Sequence, residues 1–251
     1  MQKSKIGWTD ITHNYIRGCL NNCSYCYARR FNKRTWKKMY DIECLYRIKN
    51  GIDYDETNFS ALYNNMQAFK PVFMYSQFTK PLPKNPMRIF MDSMSDICYW
   101  KTEWMERVLD KIRGYPQHKF LFLSKEPEIY LKYIFPLNCW IGITITNDID
   151  LHDKTILSSN NKKFNKIENK IFISIEPIRN NIFYQEYLLC YDWIIVGAES
   201  GNRKNKIIPE KKWIENIRQY CRNNNIPFYE KDNLKNILNR ELIQEFPDEI
   251  K

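Results

Sequence analysis

The chain has 251 residues, 43% hydrophobic and 15% aromatic, enough apolar material for a sizeable core, which excludes intrinsic disorder for its body. Its 39 Lys and Arg against 29 Asp and Glu leave a net charge of +10, a surplus that favours phosphate-bearing partners. No run of about 18 apolar residues excludes a transmembrane helix, and Met1-Gln2-Lys3-Ser4-Lys5 opens no apolar signal segment, so a cytoplasmic protein without a membrane partner is expected.

The first strand is predicted around Tyr15-Ile16. Residues 38–86, rich in Tyr, Asn and Phe and carrying Pro71, Pro81, Pro83 and Pro86, break the later pattern. They read as an insertion between the first helix and the second strand. Arg88-Ile89-Phe90-Met91 reads as that second strand, followed by a helix over residues 103–113 with apolar positions Met105, Val108, Leu109 and Ile112. Phe120-Leu121-Phe122-Leu123 is the next strand, with a short helix over 127–133. Trp140-Ile141-Gly142-Ile143-Thr144-Ile145 follows, then a polar segment at 150–166. Ile171-Phe172-Ile173-Ser174-Ile175 and Trp193-Ile194-Ile195-Val196-Gly197 are further strands. A helix over 209–222, with Pro209 in its first turn, precedes a last short strand, Pro227-Phe228-Tyr229.

Continuous apolar strands separated by helices imply a parallel sheet covered by helices. Six or seven such units predict an α/β fold, a partial (βα)6-type TIM barrel formed by a single domain over 1–251. Polar residues stand where each strand ends: Asp92-Ser93-Met94-Ser95-Asp96, Ser124-Lys125-Glu126, Thr144-Ile145-Thr146-Asn147, Ser174-Ile175-Glu176-Pro177, Glu199-Ser200 and Lys231. In βα barrels those ends form the active-site face, although such residues also serve as turn formers and helix caps.

Three of the eight Cys fall within eight residues, in Gly18-Cys19-Leu20-Asn21-Asn22-Cys23-Ser24-Tyr25-Cys26-Tyr27-Ala28. Three thiolates on one loop can hold three corners of a cubane cluster and leave the fourth iron open. The alternatives are a zinc site, for which His13 would supply the fourth ligand, and plain loop cysteines. Cys44, Cys98, Cys139, Cys190 and Cys221 are scattered beside apolar residues and read as core fillers. His13, His118 and His152 have no ligand spacing among themselves and read as structural or surface residues. The cationic run Arg29, Arg30, Arg34, Lys37 and Lys38 is either a solvated face or a patch for an anionic substrate or acidic electron donor. Composition dilutes the global charge signal, since 26 Lys, 26 Asn and 32 Ile are the types that AT-rich coding favours.

The spacing C-x3-C-x2-C with Tyr25 before the last Cys resembles the signature of the radical S-adenosylmethionine (SAM) superfamily. Ile6-Gly7-Trp8-Thr9-Asp10, Tyr27-Ala28, Leu123-Ser124-Lys125, Trp140-Ile141-Gly142, Ser174-Ile175-Glu176-Pro177 and Val196-Gly197-Ala198-Glu199-Ser200-Gly201 resemble a phage- and prophage-associated radical SAM-like family. That family is in turn similar to the spore photoproduct lyase group, which acts on DNA. His13 stands where the family has Trp, Tyr15 where it has Pro and Ala198 where it has Gly. Of a Phe-Lys-Gln-Trp-Gly ending only Lys231 is kept.

The resemblance implies a [4Fe–4S] cluster on Cys19, Cys23 and Cys26, with SAM chelating the open iron. Reductive cleavage would yield a 5′-deoxyadenosyl radical that abstracts hydrogen from a substrate. It further implies that Ser93, with Ser95 and Asp96, meets the SAM amino group and that Lys125 pairs with its carboxylate. Thr144 and Asn147 would bond the ribose, and Tyr25 would lie against adenine. Glu176 and Glu199, carboxylates at strand ends, are candidates for ribose or substrate. An electron donor such as flavodoxin or ferredoxin is implied. The substrate is expected to be a nucleic acid or nucleotide, or else a peptide or partner protein. The competing expectation is a binding protein for nucleic acid or a partner protein, holding a metal or cluster without cleaving SAM.

Overall fold

The computed structural model describes residues 4, 6–52, 59–159 and 168–250. Elements β1 (Ile11–Thr12), β2 (Ile16–Arg17), α1 (Tyr27–Lys49), α2 (Phe59–Ala68), β3 (Val72–Phe73) and α3 (Tyr75–Phe78) form the N-terminal third. They are followed by β4 (Arg88–Phe90), α4 (Thr102–Arg113), β5 (Lys119–Ser124), β6 (Cys139–Ile145), α5 (Asp148–Ser159) and β7 (Ile171–Ile175). The chain then continues through β8 (Trp193–Val196), α6 (Lys211–Asn223), β9 (Phe228–Glu230) and α7 (Lys235–Leu238).

Seven strands make one parallel sheet in the order β1-β4-β5-β6-β7-β8-β9. After β1 each strand pairs with the next along the sheet, as expected of successive βα units. The sheet curls into a half-barrel whose edge strands, β1 and β9, do not pair with each other. Among the described residues no helix is long and apolar enough to cross a membrane.

The first strand differs from expectation. Ile11, not Tyr15 or Ile16, enters the barrel sheet, in parallel register with Ile89. Ile16 instead pairs antiparallel with Phe73 in a separate two-stranded sheet. Tyr15 and Ile16 are apolar because they are fully buried against this second sheet and its neighbours, so local hydrophobicity marked burial rather than membership of the barrel. Pro209 also sits one residue before the N-cap, Glu210, rather than in the first turn of α6. Within the polar segment, residues 150–159 continue α5, whereas residues 160–166 lie outside the described residues.

Helix α1 runs past Lys38 to Lys49, and α2, β3 and α3 follow before β4. The part of 38–86 at residues 53–58 lies outside the described residues. Buried Glu43 on α1 accepts N–H bonds from Tyr75 at 2.8 Å and Ser76 at 3.0 Å, which satisfies the open donors at the start of α3. Arg47 balances that charge at 2.8 Å.

Strand side chains alternate between two environments, the consequence of the two-residue period of a strand. Ile89, Phe120, Phe122, Ile141, Ile173, Ile194 and Phe228 pack outward into the clusters that α4 and α6 complete. Phe90, Leu121, Trp140, Phe172, Trp193, Ile195 and Tyr229 form a separate inner cluster around Trp8. The inner series therefore begins as an aromatic plug, and its register, followed two residues at a time toward the C-terminal ends, reaches Asp92, Lys125, Thr144, Glu176, Gly197 and Lys231.

Candidate active site

The cysteine loop is held by backbone on two sides. Gly18 donates its N–H to Met94 O and Cys19 donates to Phe69 O, both at 2.9 Å. Gly18 has φ of +111°, and a Cβ there would lie 2.1 Å from Lys70 O, so only glycine allows this passage. Cys19 packs against Ala28, Phe69 and Met94, and burial pushes its thiol up to about 12. Cys26 is the N-cap of α1, where its Sγ accepts the N–H of Arg29 at 3.3 Å. Cys23 has the loosest tie, with its Sγ 3.9 Å from Asn21 O. The Arg29 guanidinium closes the loop by donating to Cys19 O at 3.0 Å.

All three thiols line one cavity of about 1040 Å³, open mouth included, at the C-terminal ends of the strands. Ser93, Ser95, Asp96, Lys125 and Thr144 line it as well, together with Tyr25, Glu176 and Glu199. Of the residues expected to hold the cluster, SAM or substrate, Asn147 alone stays out of the lining. Its side chain caps the start of α5, accepting from Asp150 N at 2.9 Å and donating to Thr146 Oγ1 at 3.1 Å. The reason is position: β6 ends at Ile145, and Asn147 stands at the start of α5, where its side chain serves the helix end.

Several strand-end groups already have protein partners. Asp96 accepts four hydrogen bonds, from Ser124 Oγ at 2.7 Å, Asn21 Nδ2 at 2.8 Å, Lys125 N at 3.1 Å and Cys98 N at 3.2 Å. It braces the cysteine loop against β5. Ser93 shares its hydroxyl with Asn14, and Ser95 accepts from Trp100 Nε1 at 3.1 Å. Lys125 Nζ lies 5.5 Å from the centre of the Tyr25 ring. Glu176 forms an ion pair with Lys231 across Gly197, where a Cβ would meet Lys231 Cδ at 2.7 Å. Glu199 is bound by Arg203 through two bonds at 2.7 and 2.8 Å, which hold its carboxyl below the usual range.

Asn14, Asn21 and Asp92 also build the site and were not assigned roles from sequence. Asp92 is buried at the cavity wall, where burial and then the nearby Asp96 charge raise its carboxyl well above the usual range. Its hydrogen bonds come from Leu123 N at 3.1 and 3.3 Å. The strand-end position of Asp92 was legible, but its burial was not. Asn14 and Asn21 carry no motif that separates them from the other Asn residues.

Among the described residues, no three His, Cys, Asp or Glu side chains are grouped as a single metal ion requires. His13 does not join the cysteines; it is buried against Tyr15, with ring centres 4.6 Å apart, and burial lowers its pKa to about 4. The zinc alternative therefore lacks its expected fourth ligand. A cubane makes a different demand, one thiolate on each of three irons, and three thiols facing one cavity fit that donor set. The buried Trp8 Nε1 and Ser174 Oγ have no hydrogen-bond partner among the described residues, although both residues line the same cavity. His118 donates its Nε2–H to Pro83 O at 2.9 Å, and His152 lies beside Asp153, as structural and surface residues do. Of the scattered cysteines, Cys139 and Cys221 are buried, Cys44 and Cys98 half-buried, and Cys190, expected in the core, is exposed on the turn before β8.

The fold is similar to that of a solved cysteine-to-serine mutant of spore photoproduct lyase, with a TM-score of 0.54 and 11% identity. The similarity covers 91% of this chain and 78% of that one. At such low identity the likeness establishes the shared fold alone. No curated protein matches the sequence. The model of one family does match, over residues 3–237, and the chain belongs to that family, described as a protein of unknown function, DUF5131.

Proposed function

We propose that this chain is a radical SAM enzyme. The reading rests on one observation: three cysteines from a single loop open into the same cavity as the polar ends of the barrel strands. The shared fold with spore photoproduct lyase supports it.

Cys19, Cys23 and Cys26 would hold a [4Fe–4S] cluster, and the cavity beside them would hold SAM. The chemistry supplied when both are bound is one-electron reduction of SAM, which starts hydrogen abstraction from a substrate. The chain's own part is to position and to exclude water. Asp96 fixes the cysteine loop through Asn21 and sets the start of the Lys125 turn through its backbone N–H. Lys125 then offers its ammonium to a carboxylate, while Ser93 and Ser95 offer oxygens to an ammonium. Tyr25 presents a ring face for a base. Thr144, Ser174, Glu176 and Glu199 supply hydroxyls and carboxylates along the inner wall, where a ribose can be bonded. Trp8, Phe90 and Leu123 form an apolar wall that keeps water from the cavity's inner end. The exposed Arg34, Lys37 and Lys38 of α1 would receive an acidic electron donor such as flavodoxin or ferredoxin.

The test is anaerobic reconstitution, followed by iron and sulfide analysis and by incubation with SAM and a reductant. About four irons per chain and formation of 5′-deoxyadenosine are expected. A retained cluster with no SAM cleavage under several reductants would overturn the reading in favour of a cluster-containing binding protein.

A further inference from the structure

Glu199, just past the end of β8, is buried, and guanidinium groups lie on it, on its neighbour Ser200 and on Tyr25 of the same cavity wall. Arg203, four residues on, binds both of its oxygens. Arg30 of α1 reaches the same turn and donates to Ser200 O at 2.7 Å. Arg179 follows β7. The charges of Arg203, Arg30 and Arg179 all act on the Glu199 carboxyl, alongside the direct Arg203 bonds. Three guanidiniums against the carboxylates of Glu199 and Asp150 leave a local surplus of positive charge. Of the other acids nearby, Glu176 is paired with Lys231, while Asp150 accepts from the N–H and hydroxyl of Thr146 at 2.9 and 2.8 Å and keeps its charge.

The donors of this group are largely unspent. A guanidinium carries five N–H donors. Arg30 uses one on Ser200, and the Arg179 guanidinium has no hydrogen-bond partner among the described residues. Arg179 lies 5.8 Å from the centre of the Tyr25 ring, the same ring that Lys125 approaches at 5.5 Å. All three arginines are half-buried, which limits their rotamers and strengthens a charge-assisted bond relative to one in open water. Glu199 fixes Arg203 and offsets part of the positive charge, while Arg30 is fixed by Ser200 O. Planar forks of this kind match the oxygens of a phosphate better than lysines do.

We propose that Arg30, Arg179 and Arg203, set beside the cavity-lining residues Ser200, Tyr25 and Glu199 respectively, form a phosphate-binding site, so that the substrate carries a phosphate group. Assigning that phosphate to the substrate rests on the radical SAM reading; the site itself does not.

The experiment uses the full chain without SAM and a fluorescent oligothymidylate of about twelve nucleotides, with anisotropy read between about 50 and 200 mM NaCl. Inorganic phosphate and thymidine monophosphate serve as competitors. The double variant Arg30→Gln, Arg179→Gln should weaken binding at least about tenfold and flatten the salt dependence by about 1.4 in log–log slope, about 0.7 for each lost contact to a single strand. Glu199→Gln should move the other way and tighten binding, a gain that misfolding cannot produce. Lys212→Gln, on the exposed side of α6, should change affinity less than twofold. Competition by phosphate and the mononucleotide as strong as by unlabelled oligonucleotide would identify a single phosphate as the ligand. Competition by the oligonucleotide alone would identify a nucleic-acid backbone. An unchanged affinity in the double variant, an equal loss in Lys212→Gln, or no binding of any probe would overturn the proposal. Binding that depends on these arginines in a chain that cleaves no SAM would leave the phosphate site standing and overturn only the radical SAM reading.

Discussion

Asn21 donates its Nδ2–H to Asp96 at 2.8 Å, and this bond ties the loop between Cys19 and Cys23 to the end of β4. Tyr99 holds the other side of the same amide, its hydroxyl donating to Asn21 Oδ1 at 2.8 Å. Asp96 is thus the point at which the cysteine loop, β4 and β5 are joined. Replacing it with Ala leaves four donors without their acceptor. Asp96→Ala should cost on the order of 3 kcal/mol in urea unfolding and lower iron incorporation after reconstitution. Asn21→Ala should cost about 1 kcal/mol and lower iron incorporation less. Full iron loading in Asp96→Ala would show that the brace does not position the cysteines.

The three cysteines should differ in what their removal does to the fold. The Cys23 thiol has only a long contact with Asn21 O and an interaction with the Tyr25 hydroxyl, so Cys23→Ala should change unfolding free energy by about 1 kcal/mol or less while abolishing 5′-deoxyadenosine formation. Cys26 caps α1 and Cys19 is packed among Ala28, Phe69 and Met94, so their Ala variants should be the less stable ones. Urea melts of the three metal-free variants test the order.

Asp92 gives the pH dependence a definite sign. Its folded-state pKa is raised, by burial and then by Asp96, above the ordinary 3.8. The native state therefore keeps a proton that the unfolded chain releases. Its stabilising contribution is full below the unfolded value and is lost as pH rises toward the folded value. Asp92→Asn removes this penalty and should be more stable than the parent at about pH 7, with the difference shrinking toward about pH 4. Denaturation series at several pH values would show it; a constant difference would contradict the sign.

Gly18 is predicted to be the least replaceable glycine of the site. Its positive φ and the backbone contact with Lys70 act together, and neither neighbour is a flexible side-chain end. Gly18→Ala should destabilise the chain by on the order of 3 kcal/mol and prevent stable loading of iron. Equal thermal stability and iron content to the parent would refute this.

Much of the architecture was legible because strands and helices leave different periods in a sequence. Six of the seven barrel strands are visible as apolar runs, and at least one polar residue from the end of each lines the same cavity. The two-residue period also carries the inner register, from Phe172 through Ser174 to Glu176 and from Tyr229 to Lys231. Asn147 lies past the end of β6, where it caps α5 instead. The first strand was missed because Tyr15 and Ile16 have the stronger hydrophobic signal, whereas Ile11–Thr12 is only two residues long. A short strand is defined by its partner, here Ile89 and Phe90, rather than by its own composition.

By itself, the sequence determined the alternation of strand and helix and the cysteine spacing, because both depend on residues close together along the chain. The positive charge was legible as a sum but not as a site. Only the tertiary structure decided that Asp96 is spent on bracing the loop, that Asp92 is buried, and that Arg30, Arg179 and Arg203 lie beside Ser200, Tyr25 and Glu199. Those relations join residues up to 170 positions apart, as Arg30 and Ser200 are. Their energies depend on desolvation and on donor geometry, and neither exists until the strand ends have been brought together.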